Sequence, residues 1–394
     1  MHKGLGDKDN LAKYILNLML ILWVFVMAVQ VTEFNFMDRS SLIGPVIIII
    51  IISAFYLFFN RQMFLTKYSV LIISSATIFF VYYIVNINNQ IERLPEYMIF
   101  LAIIYLLFIF ISVFKQTFFI FPMWAICVAL VSTLFIPGLF SDNTMNNLHA
   151  STAFVLLFFC VITMKESHFF IKFINIYSML ILIAVIYSSN SRNTIIALIS
   201  VLLVFCLYSK IKKYIFPIIV STIVLNITFT LTYVLMKNTK LGIFLNDITK
   251  KYTNKNLYSG RGRIWGDSFN EVVNSNAALT GLGNNFQFET NNGYIHNLYA
   301  QIFYQSGLIG VLLFISLIVL IGLLAKKVKI QTNDYYFRTL FAFFIGVLML
   351  QLFERFLITS YLKISLTTVL CWVIIGLFVN KLLFMQDVNK KYNI

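Results

Sequence analysis

The stretch YIHNLYAQIFYQSGLIGVLLFISLIVLIGLLAKK, residues 294–327, decides the fold. From about residue 300 to about residue 325 it contains no charged side chain, which is the length a helix needs to cross the roughly 30 Å hydrocarbon layer of a bilayer. The run closes on Lys326 and Lys327. It opens beside His296, one of only four histidines in the chain, and carries glycines at 307 and 310. A titratable ring at the edge of a membrane-length apolar run is an expensive placement, and it makes His296 a functional candidate.

Apolar runs near this length recur through all 394 residues. The chain is 60% hydrophobic and 11% charged, against about 25% charged in an ordinary soluble domain. The fold class expected is an all-α polytopic membrane protein, a single integral membrane domain over residues 1–394. About twelve spans are expected, near 14–32, 42–59, 69–88, 98–114, 118–139, 149–164, 169–187, 194–209, 214–236, 300–325, 339–358 and 361–383. The polar start followed by an apolar run without a small-residue cleavage site reads as a retained first helix.

Charge orients the spans. With the N-terminus in the cytoplasm, the inner segments hold Lys3, Lys8, Lys13, Arg61, Lys67, Lys115, Lys165, Lys172, Lys210, Lys212, Lys213, Lys326, Lys327, Lys329, Arg338, Lys381, Lys390 and Lys391. The short outer loops and helix ends hold only Arg39, Arg93, Arg192, Arg355 and Lys363. This positive-inside bias places both termini in the cytoplasm. The formal net charge of +15 is then mostly topology, and nucleic acid is excluded as a partner. Residues 237–299 form the one long loop, expected on the outer side with short amphipathic helices. In GRIWGDSFNEVVNS the positions Ile264, Trp265, Phe269, Val272 and Val273 make one helical face.

Cys127, Cys160, Cys206 and Cys371 all fall in apolar segments, without the spacing of a metal site or a disulfide framework, and read as small core residues. The acids of the outer side are dispersed, so neither a metal nor another cofactor is expected. Three polar features converge on the outer side: Arg192 in SSNSRNTI, Arg261 and Arg263 in the long loop, and His296. Guanidinium groups hold phosphate oxygens through a bidentate fork, and an imidazole can take a proton from a hydroxyl. Two or three arginines beside one base suit a pyrophosphate and an attacking alcohol. Glu354 and Arg355, placed on the eleventh span, point about 100° apart on a helix, so each needs a partner elsewhere. The turn GLFSDNTMNNLHA brings Asn146, Asn147 and His149 to the start of the sixth span.

Read together, these residues resemble the bacterial O-antigen polymerase/O-antigen ligase superfamily (Wzy and WaaL proteins). IHNLYAQIFYQSGLIG fits the pattern of a His followed by Asn, Ser or Gln, nine residues, Gly, two residues and Gly, Thr or Tyr, at His296, Asn297, Gly307 and Gly310. SGRGRIW followed by GLGNNF resembles the Ser-Gly-Arg…Trp…Gly-x-Gly pattern of the large loop, with Arg261 and Trp265 matching and Arg263 added. SNSRNTIIALI resembles the Ser-Arg motif that opens a mid-chain span, with Arg192 as its arginine.

The resemblance implies a glycosyltransferase-C-like membrane fold and a metal-independent transfer of glycan from undecaprenyl pyrophosphate, at the outer face of the bacterial plasma (inner) membrane. Arg192, Arg261 and His296 are the expected catalytic residues, and Arg263, Asn297, Trp265, Arg355 and Asn147 the expected substrate contacts. The implied reaction is polymerisation of lipid-linked O-antigen or capsular repeat units, donor and acceptor both carried on the lipid. The partners implied are the membrane lipid and a chain-length regulator and flippase of the same pathway. Ligation to lipid A–core uses the same motifs, and a protein O-glycosyltransferase belongs to the same superfamily. A transporter or flippase of lipid-linked oligosaccharide is the alternative from another class. Transporters usually break helices at mid-membrane in repeated halves, whereas the polar groups here gather at one face. Gly307 and Gly310 are expected to let the tenth span pack closely on a neighbour and hold the imidazole at the membrane surface.

Overall fold

The computed structural model describes residues 14, 17–18, 20–29, 64, 66–86, 94–113, 120–140, 146–165, 168–253, 256–258, 261–283, 295–328, 334–358 and 365–391. The described residues are helices and their connections, with no strand among them. In chain order they are α1 (Leu20–Val29), α2 (Lys67–Val85), α3 (Leu94–Val113), α4 (Phe121–Leu134), α5 (Ile136–Phe140), α6 (Asn147–Thr163), α7 (Phe169–Ser188) and α8 (Arg192–Ile211). A 3-10 turn (Lys212–Tyr214) leads into α9 (Ile215–Met236), α10 (Lys240–Thr253), α11 (Arg261–Asn274), α12 (Leu298–Lys327), α13 (Tyr335–Leu350) and α14 (Leu366–Lys391).

Among the described residues, six helical stretches are long and apolar enough to cross a membrane: Lys67–Val85, Pro122–Phe140, Phe169–Ser188, Arg192–Met236, Leu298–Lys327 and Leu366–Asn389. Four shorter apolar helices accompany them. The expected second span, 42–59, lies outside the described residues. Each of the other expected spans overlaps a described helix, with one correction. The eleventh was expected to run to residue 358, but α13 stops at Leu350 and residues 351–358 form a non-helical turn.

Helices α6, α13 and α14 are buried along most of their length and form the centre. Around them α13 packs on α8, α14 on α3, α12 on α2 and on α9, and α6 on α7. Phe344 stacks on Phe378, their centroids 4.7 Å apart, which locks α13 to α14. Polar side chains inside the bundle go to backbone groups that a lipid environment cannot satisfy. The side-chain amides of Asn193 and Asn226 donate to the carbonyls of Leu350 (2.7 Å) and Leu348 (2.9 Å), capping the last turn of α13. Thr152 bonds Thr367 at 2.8 Å, joining α6 to α14. Three cysteines are buried as expected of core residues, whereas Cys206 is exposed on α8.

The connection between α9 and α12 holds two amphipathic helices with different fates. The apolar face of α11 is covered: Trp265 and Val272 are fully buried in a cluster with Tyr233, Tyr258, Ile295 and Tyr304. The apolar stripe of α10 is exposed.

Candidate active site

The site is built at the end of the bundle that the charge pattern assigns to the outside, where α6, α8, α11 and α12 begin and α13 ends. Its centre is Glu354. The turn that carries it is held by one hydrogen bond of its own and three tertiary ones. Gln351 Oε1 accepts the Leu357 amide (3.1 Å), Trp372 Nε1 donates to the Leu357 carbonyl (3.0 Å), Asn297 Nδ2 donates to the Leu352 carbonyl (2.6 Å), and Arg355 donates to Gln301 Oε1 (2.8 Å). Fixing a turn this way fixes the carboxylate it presents.

Three segments converge on that carboxylate. His296 Nδ1 lies 3.2 Å from Oε2. On Oε1, a guanidinium nitrogen of Arg261 lies at 3.5 Å and the Asn147 amide donates at 3.3 Å. The Glu354 side chain is only 8% exposed while the His296 side chain is 38% exposed. A buried carboxylate without partners is costly, and here the Arg261 guanidinium and the His296 ring come from elements distant in sequence. With Nδ1–H directed at the carboxylate, Nε2 is the basic atom of the ring.

His296 is held from below by Asn297. That side chain is fully buried, accepts the Ala300 amide at 2.8 Å as N-cap of α12, and donates to Thr230 Oγ1 at 2.9 Å as well as to Leu352. Its hydrogen-bonding capacity is spent on the backbone and on α9. Asn297 was expected to contact substrate; its geometry makes it a positioning residue.

Arg192 and Arg261 each occupy the first turn of a helix, α8 and α11, where the unpaired amides and the helix dipole already favour an anion. Arg192 reaches this position because Asn190 adopts a left-handed conformation (φ 49°) that turns α7 sharply into α8. Arg192 donates to the Asn256 carbonyl at 3.2 Å, and the Tyr233 hydroxyl donates to the next carbonyl, Leu257, at 2.7 Å. Arg192 and Tyr233 thus hold adjacent carbonyls of the segment that leads into Arg261. Arg261 also lies over the Phe353 ring, 5.4 Å from its centroid.

The remaining expected residues divide. Asn147 orients Glu354. Arg355 is buried and tied to Gln301, so it braces the turn behind the site. Glu354 and Arg355 were expected on a helix; both lie in the turn, and each does find its partner on another element. Trp265, expected against substrate, is completely buried with its ring 4.8 Å from Tyr233. It is buried there because the apolar stripe of α11 has α9 and α12 to pack on. Arg263 is exposed, and two residues from Arg261 it projects from another side of the helix. Among the described residues, no three His, Cys, Asp or Glu side chains come together as a metal site.

Sequence reasoning did not find Glu354 as the hub, although an acid in an apolar stretch was its signal. The expected close packing of the glycine-bearing span on a neighbour is present at Gly307, through a break in the helix. Gly307 has φ 62° and ψ −164°, a conformation open essentially to glycine alone, and it breaks α12. The break leaves the Tyr304 and Gln305 carbonyls and the Leu308 and Ile309 amides without helical partners. Residues 278–283 take all four: Leu282 N–H to Tyr304 O (2.7 Å), Gly283 N–H to Gln305 O (3.1 Å), Leu308 N–H to Ala278 O (2.9 Å) and Ile309 N–H to Leu279 O (3.2 Å). A Cβ on Gly281 would sit 2.4 Å from the Ser306 nitrogen, so the two backbones touch. The neighbour of Gly307 is therefore the loop 278–283. That loop leaves α11 through a Schellman motif at left-handed Asn276, with Ala277 N–H bonded to Val272 O at 3.0 Å and Asn276 N–H to Val273 O at 3.1 Å. The helix of Arg261 and the helix that follows His296 are thereby locked together.

Comparison with known proteins agrees with the motifs. Residues 177–315 match the family model described as O-antigen ligase, a segment that contains Arg192, Arg261 and His296 and ends before Glu354. No curated protein and no solved structure matches the chain. Over residues 177–315 this chain is similar to the O-antigen ligase family.

Proposed function

We propose that the chain is a glycosyltransferase that joins undecaprenyl-pyrophosphate-linked oligosaccharide repeat units at the outer face of the bacterial plasma membrane, with both termini in the cytoplasm. The observation that carries this reading is Glu354 bridging the His296 imidazole and the Arg261 guanidinium (3.2 and 3.5 Å) at the bundle end that also holds Arg192.

In this mechanism Glu354 holds Nδ1–H of His296, and Nε2 takes the proton from a hydroxyl of the acceptor repeat unit. The oxygen attacks the anomeric carbon of the donor sugar as the bond from that carbon to the pyrophosphate oxygen breaks, and a single displacement inverts the centre. Arg192 and Arg261 bind the departing pyrophosphate, with the first-turn amides of α8 and α11 adding to the same field. Charge-assisted hydrogen bonds of this kind are worth about 1.5–3 kcal/mol each. Arg263, exposed beside Arg261, is available to the sugar or the diphosphate. These groups supply base and leaving-group stabilisation without an ion, so EDTA should leave activity intact; strict dependence on an added divalent cation would contradict this part of the mechanism.

A second reading, ligation of finished glycan to lipid A–core, uses the same chemistry and is favoured by the description of the matched family. Deleting the gene and separating the glycans by gel electrophoresis distinguishes the two. A single repeat unit left on lipid A–core means polymerase, and polymer accumulating on the lipid carrier means ligase. Complementation with His296→Ala should restore neither. Normal chain length in that variant, with the protein in the membrane, would refute the role given to His296.

A further inference from the structure

The exposed stripe of α10 has no role in the chemistry above, and its composition suits one kind of surface. Leu241, Phe244, Leu245, Ile248 and Tyr252 recur at the spacing of one helix face. All are exposed, Leu241 by 56%, Phe244 by 59% and Tyr252 by 78%. The opposite edge is attached to the protein. Gly242 packs against the Met236 carbonyl and the Tyr258 hydroxyl with no room for a Cβ, and Asn246 Oδ1 accepts the Leu257 amide at 2.8 Å. Lys240 and Lys251 border the stripe on the side away from this attachment, and Lys250 is exposed beyond it. Three residues separate the helix from α9, an apolar helix of spanning length that ends at Met236, so its first turn lies where that span leaves the hydrocarbon.

We propose that α10 lies in the headgroup layer of the bilayer, its apolar stripe in the acyl boundary and Lys240, Lys250 and Lys251 on anionic phospholipid headgroups. Chain continuity delivers the helix to the interface, and the flanking lysines give it the charge of a surface-seated amphipathic helix. Its twin in the same connection, α11, shows the contrast: α11 has α9 and α12 to cover its stripe, and α10 has none of the described helices over its own. Seating α10 in lipid also sets a height within the site. Asn246 holds Leu257, Tyr233 holds the same residue from α9, and Arg192 holds Asn256. The segment leading to Arg261 is thus referenced to the headgroup plane. The seating of α10 is independent of which glycan is transferred.

The test places a nitroxide spin label on the full-length protein in vesicles of phosphatidylcholine, with and without phosphatidylglycerol. Phe244→Cys, Ile248→Cys and Asp247→Cys are each made with Cys206→Ser, since Cys206 is the exposed native thiol and the other three are buried. Labels at 244 and 248 should collide several-fold more with oxygen than with a water-soluble nickel chelate, and the label at 247 should show the reverse. Nickel access at 244 and 248 equal to that at 247 would overturn the proposal, as would protection from both reagents, which would mean a protein cover. Two stripe positions keep the result readable if one variant fails to fold. Phosphatidylglycerol should deepen both stripe labels, and Lys240→Gln with Lys251→Gln should abolish that increment. An unchanged depth would remove the anionic-lipid component.

Discussion

Helix α13 has an acid at each end, and the two make opposite bargains with the helix. Asp334 is the N-cap: its carboxylate accepts the amides of Tyr336 (3.0 Å) and Phe337 (3.4 Å) and pairs with Lys381 at 2.8 Å. A negative charge there meets the positive end of the helix dipole and the unpaired amides of the first turn. Glu354 lies four residues beyond Leu350, at the end where the dipole disfavours an anion. It is less exposed than Asp334, and His296 and Arg261 stand farther from it, at 3.2 and 3.5 Å, than Lys381 stands from Asp334 at 2.8 Å. An acid that a fold could place cheaply is structural. One held at the unfavourable end by a histidine and an arginine from distant elements is, in the proposed mechanism, the acid that serves chemistry.

The sharpest way to break this comparison is Glu354→Gln. The amide keeps the shape but removes the charge that orients His296 and neutralises Arg261. Glycan chain extension should fall by about 100-fold or more, the scale of an oriented general base. The thermal midpoint of the purified protein should stay within a few degrees of wild type, because the Gln351, Trp372 and Asn297 bonds that hold the turn are untouched. Undiminished chain extension would reduce Glu354 to the status of Asp334.

Next in size is Gly307→Ala. The alanine would have to adopt φ 62° and ψ −164° with its Cβ 2.3 Å from the Leu279 carbonyl. Backbone strain of this kind alone costs on the order of 1–3 kcal/mol, and the clash adds to it. A lower thermal midpoint together with lost activity is expected, since the loop that locks α11 to α12 must move. A variant as stable as wild type would show that the break is a property of glycine flexibility and not of the docked loop. Asn297→Ala is milder: losing an N-cap costs about 1 kcal/mol, and activity should drop more than stability because His296 is the neighbour left unbraced. Asn297→Ser, which keeps the cap, should recover the stability and only part of the activity.

How much of this was legible in the sequence follows from where the determining contacts lie. Spans are local: a lipid-crossing helix must be apolar over its own length, so α2, α7 and α12 were visible. The end of α13 was not, because Leu352, Phe353, Phe356 and Leu357 continue the apolar run past Leu350. What turns the chain is Gln351, whose side chain takes the Leu357 amide and donates to Val347. Arg192, Arg261 and His296 could be singled out because charge beside apolar runs is rare. The meeting of Arg261 and His296 at Glu354 could not, since these partners are 93 and 58 residues away from it. Asn297 was legible as an N-cap, an Asn directly before an apolar run, and the pull of the His-Asn motif obscured that simpler reading. Gly307 and Gly281 were both conspicuous, but only the fold shows that each is the other's reason.

The smallest effect tests the structural side of the comparison. Burial alone would raise the Asp334 carboxyl, but the Lys381 ammonium and the Phe337 and Tyr336 amides outweigh it and hold the group below its ordinary value. A group depressed on folding contributes stability that is present above its unfolded value and is lost as pH falls through the folded one. Asp334→Asn should therefore lower the thermal midpoint at neutral pH by a small amount, with at most about 1 kcal/mol at stake because the ion pair is partly exposed. The gap should close as pH drops below the ordinary carboxylate range, where the wild-type acid is itself neutral. Chain extension at neutral pH should match wild type throughout. A large loss of activity in Asp334→Asn would mean that the far end of α13 communicates with Glu354 along the helix, and the division between a structural acid and a chemical one would fail.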